Sequence, residues 1–293
     1  MMKINRYCCA LLPVFTILTV VSIKAQHASA AYQKSIDDWH TARIAALKAD
    51  NGWLNLAGLF WLQQGKNTFG SDSSNAVVFP KGSINGVAGY FERAGNTVRL
   101  VAANNAGITI NGVPVTDTII FSDTMQQVPV IACGSLRWNI IQRENKTGVR
   151  LRDLNSPAPA MFNGVDCFEV DSNWRFGAIL QQPALPSVIS ISNVIGQTTR
   201  QNSPGKVVFV FKGKQYYLDA LDDGEDLLVV FGDATSGVTT YPSGRFIDVK
   251  KPGADGMVVL DFNKAYNPPC AFTDYATCPL PPPQNILPFA VAA

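Results

Sequence analysis

The chain has 293 residues, 47% of them hydrophobic and 16% charged, with a formal net charge of +2. This length and apolar content fit a globular protein with a sizeable core, organised as one large or two small domains. Lys3, Arg6 and Lys24 fall in the first 25 residues, so the remainder is close to neutral and has no basic face with which to hold nucleic acid.

Residues 1–6 are positively charged, 7–23 are apolar apart from Thr16, Thr19 and Ser22, and small residues follow at Ala25 and Ala28-Ser29-Ala30. That is the pattern of a secretory signal peptide, 1–25, with cleavage as late as 30 also compatible. An uncleaved anchor is the alternative, because the apolar run approaches spanning length. Cys8 and Cys9 sit too early for a lipidated mature N-terminus. The expectation is an exported protein, periplasmic or extracellular, with no membrane span after cleavage. Cys133, Cys167, Cys270 and Cys278 would then meet an oxidising compartment that permits disulfides.

In chain order, 35–49 reads as a helix. Ile36, Trp39, Ile44 and Leu47 share a face, Ser35 suits the N-cap with Asp38 at the third position, and Asn51-Gly52 stops it. The apolar segment 52–62 is too short to span a membrane and reads as a strand-like element wedged into the core. Strands are then predicted at 76–79, 89–92, 97–102, 107–110, 128–131 and 136–143, punctuated by Asn-Gly and Gly-Asn turns and leading into 148–153. Their ordering is loosely similar to a forkhead-associated domain, without the residues by which that module holds phosphothreonine. Residues 155–159 (NSPAP) read as a linker. Further strands are predicted at 188–194, 206–211, 215–220, 227–232, 244–249 and 257–262. The resulting expectation is a mainly β fold, an antiparallel β-sandwich or partly closed barrel. It comprises two packed β subdomains, 63–155 and 156–293, preceded by a short N-terminal helix and lead-in segment at 31–62.

Histidine occurs only at positions 27 and 40, so a Ser-His-Asp or Cys-His hydrolase would have to recruit His40 from the helix. Zinc lacks its usual imidazoles and no C-x-x-C pair is present, so no metal and no cofactor is expected. The acidic run from Asp219 to Asp233 departs from the EF-hand pattern, and Asp223-Gly224 reads as a hairpin turn. Arg150, Arg152 and Arg175 could grip an anion through a guanidinium fork, although tying loops to a sheet is the commoner use.

The richest stretch is 241–288, where Asp, Asn, Arg and Tyr are interleaved with Cys270, Cys278 and consecutive prolines. Alternation along a strand would put Asp261 and Asn263 on one face, and with Arg245, Tyr266 and Asn267 they form a candidate polar pocket. The competing reading is a hydrogen-bond network that satisfies the backbone of a proline-rich loop. Cys270 and Cys278 are the first candidates for a disulfide, or for a nucleophile.

The segments GWLNLAGLFWLQQGKNTFGSD, GVRLRDL, FGDATSG, TYPSGRF and LDFNKAYNPPCAFTDYATCPLPPPQN closely resemble the family known as domain of unknown function 1684. The resemblance implies that Arg245, Asp261, Asn263, Tyr266, Asn267, Cys270 and Cys278 belong to the family motif, and that Trp53, Leu56 and Gly58 are part of one integrated fold. No activity is assigned to that family. The functional expectation is therefore binding of a small polar molecule or glycan in a pocket built by the C-terminal motif. A hydrolase using Asp261 or Cys270 and a structural cell-envelope module are the alternatives.

Overall fold

A computed structural model describes residues 28–185 and 187–293; the expected signal peptide lies outside the described residues. The first element of the described residues is a helix, Ala30–Lys48, that starts earlier than Ser35. Ser29 is the cap, its Oγ accepting the N–H of Tyr32 at 3.3 Å. Ser35 is inside the helix, and its hydroxyl turns back to donate to the Tyr32 carbonyl at 2.7 Å. Two alanines at the start, strong helix formers, carry the helix past the predicted boundary. Ile36 and Leu47 are its buried residues.

After a single turn at Trp53–Asn55, the lead-in segment becomes the strand Leu56–Trp61, antiparallel to Lys146–Asp153. It is therefore an edge strand of the first sheet, which continues through Leu136–Arg143, Ile131–Cys133, Thr109–Ile110 and Val113–Pro114. A second sheet runs Val77–Val78, Gly65–Gly70, Gly89–Ala94, Thr97–Ala102, Asp117–Phe121, antiparallel except for the first pair. The apolar sides of both sheets meet in one cluster around Phe69, Phe79, Phe91 and Trp138. The Phe69 and Phe91 rings stack at 4.4 Å, and the edge of Trp138 meets Phe79 at 5.4 Å.

The third sheet runs Arg245–Lys250, Asp226–Phe231, Lys214–Asp223, Gly205–Phe211, Arg175–Gln181, Met257–Asp261. Its outermost strands are consecutive in sequence and touch, so the sheet curls into a nearly closed antiparallel barrel. A separate apolar cluster fills it, centred on Phe209, Phe231 and Phe262. The fold is thus mainly β, with the expected architecture. The hairpin Ser187–Ser192/Thr198–Ser203 stands outside that sheet, and its second strand, TTRQNS, is mostly exposed. The acidic run is built as read: Gly224 turns the chain with φ +67°, while Lys251 pairs with Asp222 at 2.9 Å and Lys250 with Asp226 at 2.8 Å.

The barrel ladder has a gap that the terminal motif fills. Strand Lys214–Asp223 pairs with Gly205–Phe211 as far as Ala220 and with Asp226–Phe231 only from Leu221 onward. Asn285, 1% exposed, supplies the missing partners: its Oδ1 accepts the Asp219 N–H at 2.7 Å, and its Nδ2 donates to the carbonyls of Asp219 and Val230, both at 2.9 Å. The Gly232 N–H donates to the Asn285 carbonyl at 3.1 Å, and the Leu287 N–H to Gly232 at 2.8 Å. A proline-rich segment that cannot build a ladder of its own is in this way spliced into the barrel by one amide. Replacing Asn285 by Ala leaves buried backbone groups unpaired, at about 1–3 kcal/mol each. Chemical denaturation of N285A should therefore show a loss of about 3 kcal/mol or more with an unchanged m-value.

Candidate ligand cavity

Three polar knots tie the terminal motif to the rest of the chain, and a cavity lies among them. The first centres on Asp261, the last residue of its strand and 6% exposed. The Tyr32 hydroxyl, on the N-terminal helix, lies 2.8 and 2.9 Å from the two carboxylate oxygens. Arg175 Nε lies 3.7 Å away and its guanidinium covers the Tyr32 ring. Asn263 is not on the strand with Asp261 but in the short turn Phe262–Lys264 that follows, its N–H donating to Asp261 Oδ1 at 3.1 Å. The Asn263 amide donates to Tyr32 Oη at 3.0 Å and to the Asp171 carbonyl at 2.9 Å, and its Oδ1 accepts the Asp171 N–H at 3.0 Å. Burial, then the bond to Asp261, pushes the Tyr32 phenol far above its ordinary range, so it stays a donor.

The second knot is a buried ion pair, Arg245–Asp233, at 2.8 Å with side chains 5% and 1% exposed. Arg245 also donates to the carbonyls of Val291 at 2.7 Å and Ala293 at 2.6 Å. Gly244 before it has φ +82°, and a Cβ there would collide with the Phe231 carbonyl and Pro281, which explains glycine in the TYPSGRF turn. This pair joins the FGDATSG and TYPSGRF segments.

In the third knot the Arg43 guanidinium lies flat over the Tyr266 ring, 3.4 Å from its centroid, and reaches the Asn267 carbonyl at 3.4 Å. The Tyr266 hydroxyl donates to Asp248 Oδ1 at 2.8 Å. Burial raises the Asp248 carboxyl and, with the nearby Asp248 charge, raises the Tyr266 phenol. Burial also lowers the Arg43 guanidinium.

Between these knots is a cavity of about 540 Å³. The helix contributes Trp39, His40, Arg43, Ile44 and Leu47; the segment 165–170 contributes Cys167 and Phe168; the loop 239–241 contributes Tyr241. The terminal motif supplies Asn263, Tyr266, Asn267, Ala271 and Phe272. Of the residues expected to make a pocket, Arg245, Asn263, Tyr266 and Asn267 line it, whereas Asp261 does not: its carboxylate is consumed in the first knot. Arg245 and Asp261 thus serve separate networks. Sequence reading missed Arg43, although it stands four residues after Trp39 on one helical face.

The cavity brings His40 and Cys167 to one lining. Burial raises the Cys167 thiol and lowers the His40 imidazole, and the Cys167 thiol donates to the Val165 carbonyl at 3.4 Å. A thiol raised by burial and an imidazole held neutral lack the thiolate character that a cysteine nucleophile needs. Among the described residues, no three His, Cys, Asp or Glu side chains gather as a metal site.

The fold and lining define a mainly β protein with a cavity roofed by its N-terminal helix. The chain belongs to the family described as "Protein of unknown function (DUF1684)", matched over residues 160–293, which includes the barrel and the terminal motif. Among solved structures, an uncharacterized protein of Haloarcula marismortui is 31% identical over 46% of this chain and 77% of that one, with a TM-score of 0.39. A structure from a study of phosphothreonine-dependent FHA domain interactions is 17% identical over 32% of this chain and 92% of that one, with a TM-score of 0.23. No curated protein matches the chain.

Two outcomes test this geometry. Tyr32→Phe strips a buried carboxylate of a donor and should cost about 1–3 kcal/mol, read by denaturant unfolding. Secondly, the folded chain holds His40 neutral below its ordinary pKa of 6.5, while the unfolded chain takes up a proton near that value. The unfolded state therefore binds more protons, so stability falls as pH drops from 6.5 toward the lowered folded value. H40Q should flatten that part of the stability–pH curve.

Proposed function

We propose that this is an exported protein that binds a small polar molecule or glycan in the cavity between the N-terminal helix and the terminal motif. The observation that carries the reading is the lining itself. A space of about 540 Å³ falls within the roughly 300–1,000 Å³ of small-molecule sites. It offers flat aromatic faces, Trp39 and Tyr241, together with convergent polar groups from His40, Arg43 and Asn267. Rings that can stack on the apolar face of a sugar, beside amide and guanidinium donors for hydroxyl or carboxylate oxygens, suit a compact ligand of mixed polarity. Export rests on the charged, apolar and small-residue succession of residues 1–30.

The motif divides its labour in this reading. Asp261, Asn285 and the Asp233–Arg245 pair hold the scaffold, and Tyr266, Asn267, Ala271 and Phe272 face the ligand. A hydrolase centred on Asp261 is not favoured, because that carboxylate is saturated with intramolecular donors and stands outside the lining.

Thermal-shift screening against monosaccharides, disaccharides, dicarboxylates and aromatic carboxylates tests the proposal. A ligand at 100 times its Kd stabilises the fold by about 2.7 kcal/mol, enough to raise Tm visibly. At least one class should raise the wild-type Tm, and Trp39→Ala should weaken that ligand about tenfold, roughly 1.4 kcal/mol. If no class shifts wild type more than it shifts W39A, the cavity is not a binding site for these ligands.

A further inference from the structure

Cys270 and Cys278 form a second chemical feature that the cavity does not use. Cys270 sits in the turn Pro269–Ala271, and Cys278 is buried eight residues on. Their thiols are free and reciprocally placed: the Cys270 N–H donates to Cys278 Sγ at 3.1 Å, and the Cys278 N–H to Cys270 Sγ at 3.4 Å. The pair lies where the two β units meet, in an apolar cluster with Trp53, Phe246 and Tyr266. Arg150, from the strand Lys146–Asp153, brings a positive charge to it. Its guanidinium lies 5.2 Å from the Trp53 ring centre, and its Nε is buried without a hydrogen-bond partner.

The charges of these three groups are linked. The hydrogen bond from the Cys278 thiol, helped by the Arg150 charge, lowers the Cys270 thiol to about 7, while Cys278 is pushed up. Burial alone raises Cys133, as it does Cys167 together with the charge of Asp166. One sulfur of the pair thus carries thiolate character and the other holds the proton, the division of roles that disulfide exchange uses.

We propose that Cys270 and Cys278 are a dithiol–disulfide pair that exchanges with small disulfides, with Cys270 attacking and Cys278 resolving. The Cys270 thiolate attacks one sulfur of an external disulfide RSSR, forming a mixed disulfide and releasing RS⁻. Cys278 then loses its proton, which RS⁻ takes up, and its sulfur attacks Cys270 Sγ, expelling the second RS⁻, which takes a proton from solvent. RSSR is reduced to two thiols, and the protein gains one S–S bond. Arg150 holds the negative charge on Cys270 before attack. Oxidation closes the loop from 270 to 278 and so pins Ala271 and Phe272, which line the cavity; the exchange itself does not depend on the ligand-binding reading.

The test begins with full-length protein reduced and freed of reductant under anaerobic conditions. It is treated with glutathione disulfide, quenched with acid, alkylated with N-ethylmaleimide and mapped by peptide mass spectrometry. Alkylation should be lost at Cys270 and Cys278 together, with a linked peptide in its place, while Cys133 and Cys167 keep the label. In Cys278→Ser, glutathione should remain attached at Cys270. Arg150→Gln should slow label loss at neutral pH by roughly threefold or more, and Arg150→Lys should restore most of the rate. Persistent alkylation of Cys270 and Cys278 in wild type, pairing of either with Cys133 or Cys167, or glutathione on no residue of C278S would each overturn the proposal.

Discussion

A buried carboxylate decides how this molecule is put together. Asp261 closes the last strand of the barrel almost out of solvent, where an uncompensated charge costs several kcal/mol. Its partners come from far apart in the chain: the donors Tyr32 on the first helix and Asn263 in the next turn, and the Arg175 charge on the neighbouring strand. Satisfying that charge fixes where the helix lies. The helix in turn sets Trp39, His40 and Arg43 opposite Tyr266 and Asn267, and the space left between them is the cavity. Scaffold and site are therefore linked through one anion.

The terminal motif follows the same logic. Prolines take donors away and prevent a ladder, so the surrounding backbone needs side-chain partners. Asn285, Asn263 and Arg245 each serve at least two backbone groups. Much of the chemistry-bearing appearance of this stretch is thus the cost of sealing a barrel with irregular chain. What remains for a ligand is narrower and more aromatic than the motif suggests when read linearly.

Where burial is one-sided, the strands were legible in the sequence. Thr97–Ala102 alternates and is bounded by turn residues, and it forms with the predicted limits. Thr198–Ser203 was invisible because it pairs only with its hairpin partner and has no apolar face to advertise. Gly65–Gly70 was hidden by a polar start at Gly-Lys-Asn, whose Asn67 is spent on the carbonyls of Gln63 and Gly65. The site was legible in part. Asp261 and Asn263 do meet, but by a capping turn and not by strand alternation. Arg245 and Asp261 go to different networks because their partners, Asp233 and Tyr32, lie 12 and 229 residues away. No local period encodes a contact of that span. Arg43 and the segment 165–170 escaped notice for the same reason: their role exists only once the helix is docked.

The docking of the helix also has a consequence in time. The helix is made more than 200 residues before Asp261 and Asn267, two of the groups that receive it. Until then the helix has no berth for Trp39 and Arg43, which pack against Tyr266 in the finished fold. Contacts so distant in sequence close slowly. The helix is thus made long before its place exists, and its docking is a late step of folding.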